Sequence, residues 1–197
     1  MTKRLFDLFF SFLAIILLSP IFIFLVILIY FTEGFPVFYL QERIGFKGKN
    51  FKIIKFRTMH RNADKEGPLI TVDKDQRITK IGGFLRRYKL DELPQIFNVF
   101  KGEMSFVGPR PEVEKYVKMY NMQQRRVLDL LPGITDPASL YYISEEEVLA
   151  NVKNPEQHYI NVIMNDKINI NLKYAEKANI FFDFIIILKT IIMAIKK

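Results

Sequence analysis

The hydrophobic positions of this chain crowd at its two ends. From Leu5 to Phe31 the only charged side chain is Asp7, and from Ile180 onward apolar residues recur at Phe181, Phe184, Ile185, Leu188, Ile191, Ile192 and Ile195. As a straight helix the first run would be roughly 40 Å long, enough to cross a hydrocarbon core of about 30 Å. The second is interrupted by Asp183, Lys189, Lys196 and Lys197. Its uninterrupted part is too short to span, and its helical spacing predicts a helix lying in a membrane interface with the lysines at the headgroups. The polar stretch between them predicts a water-facing domain. The chain therefore divides into 1–34, 35–179 and 180–197.

The first run alone fits one transmembrane helix. Two features favour a re-entrant helix instead. Ser19-Pro20 lies in the middle of the run, where proline lacks an N–H and clashes with the preceding turn. Both flanks are also positive: Lys3 and Arg4 precede the run, and Arg43, Lys47, Lys49, Lys52, Lys55 and Arg57 follow it. Positive flanks mark the cytoplasmic side, so a helix that enters, bends at Pro20 and leaves by the same face satisfies both. A cleaved signal peptide fits poorly. The run exceeds a typical h-region, and no small-residue cleavage site follows.

In the middle, Phe38–Leu40 and Phe51–Phe56 read as short strands around the turn Gly45–Gly48. The polar stretch Asn62–Gln76 reads as a loop. Thr79–Tyr88 predicts an amphipathic helix with Arg86 and Arg87 on its basic side. Asp91 is the expected N-cap of the next helix, with Pro94 in its first turn, Leu93, Ile96 and Phe97 as its apolar stripe and Gly102 as its end. Pro109-Arg110-Pro111 is a stiff turn. Glu112–Leu131, Glu145–Ala150 and Asn165–Ala178 are expected helices, with Pro132-Gly133 breaking the first. The fold class is mixed, predominantly α with a few short strands.

Charge and composition narrow the chemistry. The net charge of +8 implies anionic partners. With no cysteine and only His60 and His158, far apart, a Cys/His zinc site is excluded and a Ser-His-Asp triad is disfavoured. Asp91-Glu92 is either a routine acidic first turn or a nucleophile with a helper that binds Mg²⁺ or moves a proton. Arg110, between two rigid residues, is either a turn arginine paired to a nearby glutamate or a clamp on a diphosphate. Lys55 and Arg57 alternate with hydrophobes. They would project from one strand face, as a solvated surface or as phosphate contacts.

The order of motifs is distinctive. Lys55-Phe56-Arg57-Thr58-Met59, Leu90-Asp91-Glu92-Leu93-Pro94-Gln95 with Asn98-Val99, Lys101-Gly102-Glu103-Met104-Ser105, Val107-Gly108-Pro109-Arg110-Pro111 and Pro132-Gly133-Ile134-Thr135 together resemble the bacterial sugar transferase family, the monotopic phosphoglycosyl transferases, in a small core-only form. The resemblance implies a monotopic membrane protein: a re-entrant N-terminal helix broken at Ser19-Pro20, interfacial helices and a small cytoplasmic catalytic domain at the bacterial inner membrane. It also implies a reaction. Asp91 matches the nucleophile of an Asp-Glu dyad that attacks the sugar-bearing phosphorus of a UDP-sugar and releases UMP; polyprenyl phosphate then takes the phosphosugar. Mg²⁺ is expected at Asp91 and Glu92. Arg110, Lys55, Arg57, Arg86 and Arg87 are the expected phosphate contacts. Many members follow Pro-Gly-Ile-Thr with Gly-Trp, whereas here Asp136-Pro137-Ala138-Ser139 follows, which leaves the sugar open. The oligomeric state is open as well, a homodimer being one option. A glycosyltransferase that moves sugar without phosphate, or a lipid-binding scaffold, would share the membrane anchor. Nucleic acid suits the charge but not the apolar ends.

Overall fold

The computed structural model describes residues 2–63 and 75–195. Most of the expected loop 62–76 lies outside them. Helix α1 (Thr2–Glu33) leads into the strands β1 (Phe38–Ile44) and β2 (Asn50–Phe56), then α2 (Lys80–Arg87) and a 3₁₀ turn at Leu90–Glu92. Next come α3 (Gln95–Lys101), β3 (Ser105–Val107), α4 (Glu114–Val117) and β4 (Gly133–Thr135). The chain ends with α5 (Pro137–Tyr141), α6 (Glu145–Ala150), α7 (Pro155–His158), α8 (Met164–Lys177) and α9 (Ile180–Ile195). A π turn at Tyr159–Ile163 joins α7 to α8.

α1 is long and apolar enough to cross a membrane by length and composition. It is one continuous helix with Pro20 inside it, not two helices separated at Ser19-Pro20. The reason is local. Pro20 cannot donate to the carbonyl of Ile16 four residues back, and the Ser19 hydroxyl donates to that carbonyl instead, at 2.8 Å. Its buried residues are Asp7, Ser11, Phe22, Leu25 and Ile29, spaced along one stripe, while large apolar side chains such as Phe9, Leu17, Phe24 and Phe31 stand exposed on the other sides.

Both ends of α1 are tied to the rest of the chain. Arg4 donates to the carbonyls of Val99 (2.7 Å) and Phe100 (2.9 Å) at the C-terminus of α3, where a cation meets the negative end of the helix dipole. Asp7 accepts from the Phe106 amide at 3.2 Å, and Lys3 pairs with the buried Asp183 of α9. At the far end, Phe22, Leu25 and Ile29 pack with Val37, Phe56, Leu85 and Ile96. Beyond Glu33, Arg57 donates to the carbonyls of Glu33 and Gly34.

β1 and β2 form an antiparallel hairpin, Phe38 opposite Phe56 and Ile44 opposite Asn50, longer than the expected pieces. Its turn needs left-handed backbone, taken by Lys47 and Gly48. The expected helix over Glu112–Leu131 does not form. α4 covers only Glu114–Val117, and a 3₁₀ stretch covers Gln124–Asp129. Between them Asn121 and Gln124 bond reciprocally, each side chain accepting from the other's amide (2.8 and 2.9 Å), which diverts the backbone from a helical path. The other expected helices form: α2 with Thr79 as its N-cap, α6, and the α8 region, where helical structure already begins at Pro155.

β3 and β4 pair in parallel, a contact the sequence does not announce. The pairing continues past the strand ends. Gly108 N–H donates to Thr135, Gly133 N–H donates to Pro109, and Ser105 N–H donates to Pro132. The backbones approach so closely that a Cβ on Gly133 would stand 2.1 Å from the Gly108 nitrogen. Two larger apolar clusters form most of the core. One joins α1 to β2, α2 and α3; the other gathers Ile44, Tyr116, Tyr120, Leu149, Tyr159, Ile163 and Ile168 from β1, α4 and the C-terminal helices.

Candidate active site

A broad open cleft of about 1760 Å³ lies between these clusters. Lys55, Arg57, Arg86, Arg87, Asp91, Glu92 and Arg110, every charged residue singled out from the sequence, line it.

Asp91 and Glu92 sit in the 3₁₀ turn, not in a helix. Lys89 adopts left-handed backbone (φ 57°), α3 starts only at Gln95, and Pro94 is its N-cap without a side-chain bond. The expected N-cap role of Asp91 is therefore replaced by a turn that aims the two carboxylates differently. Asp91 is buried, and its Oδ1 has no hydrogen-bond partner among the described residues. Burial raises its pKa, and the charge of Glu92 raises it further, against the opposing cations Lys55, Arg86 and Lys89. Glu92 behaves in the opposite way. Burial alone would raise its pKa, but Arg110 and Lys55 outweigh burial and hold the carboxyl well below the usual range. Lys55 Nζ lies 2.9 Å from Oε1; Arg110 reaches Oε2 at 3.1 Å through Nη1 and also bonds Oε1 through Nη2. The dyad thus sets a carboxyl whose Oδ1 is unpartnered among the described residues beside one fixed carboxylate, an arrangement that separates two roles between adjacent residues.

Each cation has a distinct placement. Lys55 projects from β2 to Glu92; burial lowers its pKa and Glu92 opposes that. Arg57 does not join it. It lies just past the strand, buried, and holds the Glu33–Gly34 carbonyls through Nη2, with Nη1 buried and unpartnered among the described residues. Arg86 donates from Nε to the Thr58 hydroxyl (3.0 Å) and lies 3.8 Å from Glu146 across the cleft. Arg87 is exposed beside the Tyr88 ring.

Arg110 is held by backbone. The Pro109 carbonyl accepts from Gly133, the Pro111 carbonyl accepts from Arg43 at 3.1 Å, and the Glu112 carbonyl accepts from Ile44. Arg43 in turn is held by Gln41 (2.6 and 3.0 Å) and faces Glu112, whose carboxylate takes the Tyr159 hydroxyl at 2.8 Å. Asn98, fully buried, fastens α3 to β2 beside Lys55: it accepts from Ile54 N–H (3.0 Å) and donates to the Lys52 carbonyl (2.8 Å). Arg43, Asn98 and Tyr159 escape sequence reasoning because their partners lie far along the chain. The only local sign is a polar residue inside an otherwise apolar stripe, as at Asn98.

No group of three or more metal-ligating side chains occurs among the described residues. Mg²⁺ is commonly held by one or two carboxylates with substrate phosphates completing its shell; here Asp91 Oδ1 is the unpartnered hard oxygen, while both Glu92 oxygens are engaged by Lys55 and Arg110.

Comparison with known proteins gives this geometry a family. The chain is 34% identical over 205 residues to the exopolysaccharide production protein ExoY of Sinorhizobium fredii, covering 96% of this chain and 84% of that one. It is 39% identical over 133 residues to a putative undecaprenyl-phosphate N-acetylgalactosaminyl 1-phosphate transferase of Bacillus subtilis, covering 68% and 70%. It is 35% identical over 193 residues to the UDP-glucose:undecaprenyl-phosphate glucose-1-phosphate transferase of Klebsiella pneumoniae, covering 96% of this chain but 39% of that longer protein. The profile of one family matches residues 1–197 throughout, and the chain belongs to it: the bacterial sugar transferases.

Proposed function

We propose that this protein transfers a sugar 1-phosphate from a UDP-sugar to a polyprenyl phosphate such as undecaprenyl phosphate, releasing UMP, as a membrane step of glycoconjugate assembly. The observation that carries the reading is Asp91: a buried carboxyl among the residues lining the cleft, with Oδ1 unpartnered among the described residues, beside a cation pair held by Glu92. Ionised Asp91 attacks the sugar-bearing phosphorus, the bond to UMP breaks, and UMP leaves with the electron pair. A phosphate oxygen of the acceptor then attacks the same phosphorus, and the carboxylate is released. Lys55 and Arg110 are placed to neutralise phosphate charge in both steps, and their positions are fixed by β2 and by the β3–β4 crossing. Asp91 and Glu92 are the residues that would hold Mg²⁺. Bound there, the ion would supply further neutralisation of the diphosphate.

The membrane arrangement is part of the reading. α1 enters and leaves on one side, with the charged domain on the cytoplasmic face. In a straight helix Arg4 and Glu33 would be about 43 Å apart along the axis. Both are bonded to the domain that follows α1, which supports a helix whose two ends stay on one side.

The test is intact mass in nanodiscs with UDP-sugars and Mg²⁺ but no acceptor. A gain of one phosphosugar, absent in Asp91→Asn, supports the covalent route. Release of UDP in place of UMP, on adding acceptor, would replace this reading with transfer of the sugar alone.

A further inference from the structure

α9 carries three faces where an interfacial helix needs two. Asp183 and Ile186 are buried against the protein, and Phe184, Leu188 and Ile192 are exposed on the outer side. A third set, Ile187, Thr190, Ile191, Met193, Ala194 and Ile195, lines the cleft, with Ile191 and Ile195 exposed there. All but Met193 follow the spacing i, i+3, i+4, i+7, i+8, a continuous helix stripe. We propose that this stripe is the wall on which the isoprenoid chain of the acceptor lies, with the acceptor's phosphate at Lys55 and Arg110; the inference rests on the lipid-phosphate reading above.

The cleft is itself amphiphilic. Its lining combines the cations and the dyad with the apolar side chains of α9, so it complements a molecule with a phosphate head and a long apolar tail. The two parts are mechanically linked. Thr190 is bonded to Thr135 of β4 through their hydroxyls at 2.6 Å, and Gly133 of the same strand holds the carbonyl of Pro109 beside Arg110. This fixes the distance between the apolar wall and the phosphate site. From Ile187 to Ile195 the stripe is about 12 Å long. It can therefore grip only the units nearest the phosphate, leaving the rest of a long chain to the bilayer. An ordinary phospholipid would meet the outer face of α9 instead.

The test uses the full chain in nanodiscs with no donor present, so that it reads binding and not turnover. A prenyl phosphate with a diazirine in its head-proximal isoprene unit should label Ile187, Ile191 or Ala194, and excess unlabelled polyprenyl phosphate should remove at least nine-tenths of that label. A phosphatidylcholine with a diazirine in its acyl chain should label Phe184, Leu188 and Ile192. Ala194→Phe, which fills the groove, should cut prenyl labelling of the stripe at least tenfold. Prenyl label found only on α1 or α2, or label that polyprenyl phosphate cannot displace, would overturn the assignment. Failure of the aspartyl chemistry would leave this labelling unchanged, so the two ideas fail separately.

Discussion

Arg110→Ala removes both guanidinium bonds to Glu92 and leaves Lys55, at 2.9 Å, as the remaining cation. A hydrogen bond to a charged group contributes about 1.5–3 kcal/mol net, and Arg110 is partly open to the cleft, so the low end of that range applies. Folding stability should therefore fall by about 1–2 kcal/mol. The kinetic effect has a different origin. Losing a two-pronged contact to the donor diphosphate should lower kcat/KM for UMP release by about 30-fold, or about 2 kcal/mol in the barrier. Arg110 could act on the donor directly or only by orienting Glu92, and a double-mutant cycle separates the two. Rates of UMP release would be measured for Arg110→Ala, Glu92→Gln and the double variant. A direct phosphate contact predicts that Arg110→Ala still lowers the rate at least tenfold in the Glu92→Gln background. If the cost vanishes there, the arginine works only through the glutamate. If the single variant stays within threefold of the parent enzyme, the clamp is refuted.

Three further outcomes are expected. Because the Asp91 pKa is raised, the native state holds that proton more tightly than the unfolded chain does. Adduct formation should then rise with pH along a limb centred above 3.8, and Asp91→Asn should leave thermal stability at neutral pH unchanged or higher; a limb at or below 3.8 would refute this. Gly133→Ala should destabilise by about 3 kcal/mol or more, since its Cβ would meet the Gly108 nitrogen at 2.1 Å; an unchanged melting temperature would contradict the crossing. Cysteines at Thr2 and Phe35 should react with an impermeant thiol reagent from the same side of sealed vesicles, whereas opposite-side labelling would show that α1 spans.

The sequence announced what is local. The apolar run gave α1, the turn Gly45–Gly48 between two β-like pieces gave the hairpin, and two prolines marked Arg110 as a fixed group. It failed where a side chain competes with the backbone. Apolar residues at Tyr116, Tyr120, Val127 and Leu128 suit a helix, but the Asn121–Gln124 exchange ends one there. Lys89 gave no sign of the left-handed backbone that displaces Asp91 from a helix start. The supports of the site were illegible for another reason. Arg43 reaches Pro111 and Asn98 reaches Ile54, pairings fixed by topology and not by any nearby pattern. The expected Lys55–Arg57 face fails because β2 ends at Phe56, so Lys55 reaches Glu92 while Arg57 turns to the carbonyls of Glu33 and Gly34.

The pairing of Glu92 with both Lys55 and Arg110 has a consequence for selectivity at a membrane surface. A bare lysine–arginine pair beside anionic headgroups would be a standing binding site for any of them. Here a tethered carboxylate already occupies it, and its effective concentration far exceeds that of a free monoanion. An incoming ligand must displace this resident competitor to gain the cations. Weakly held, singly charged headgroups lose that contest. A terminal phosphate dianion or a diphosphate, with more charge and more free oxygens, is the kind of anion that wins it.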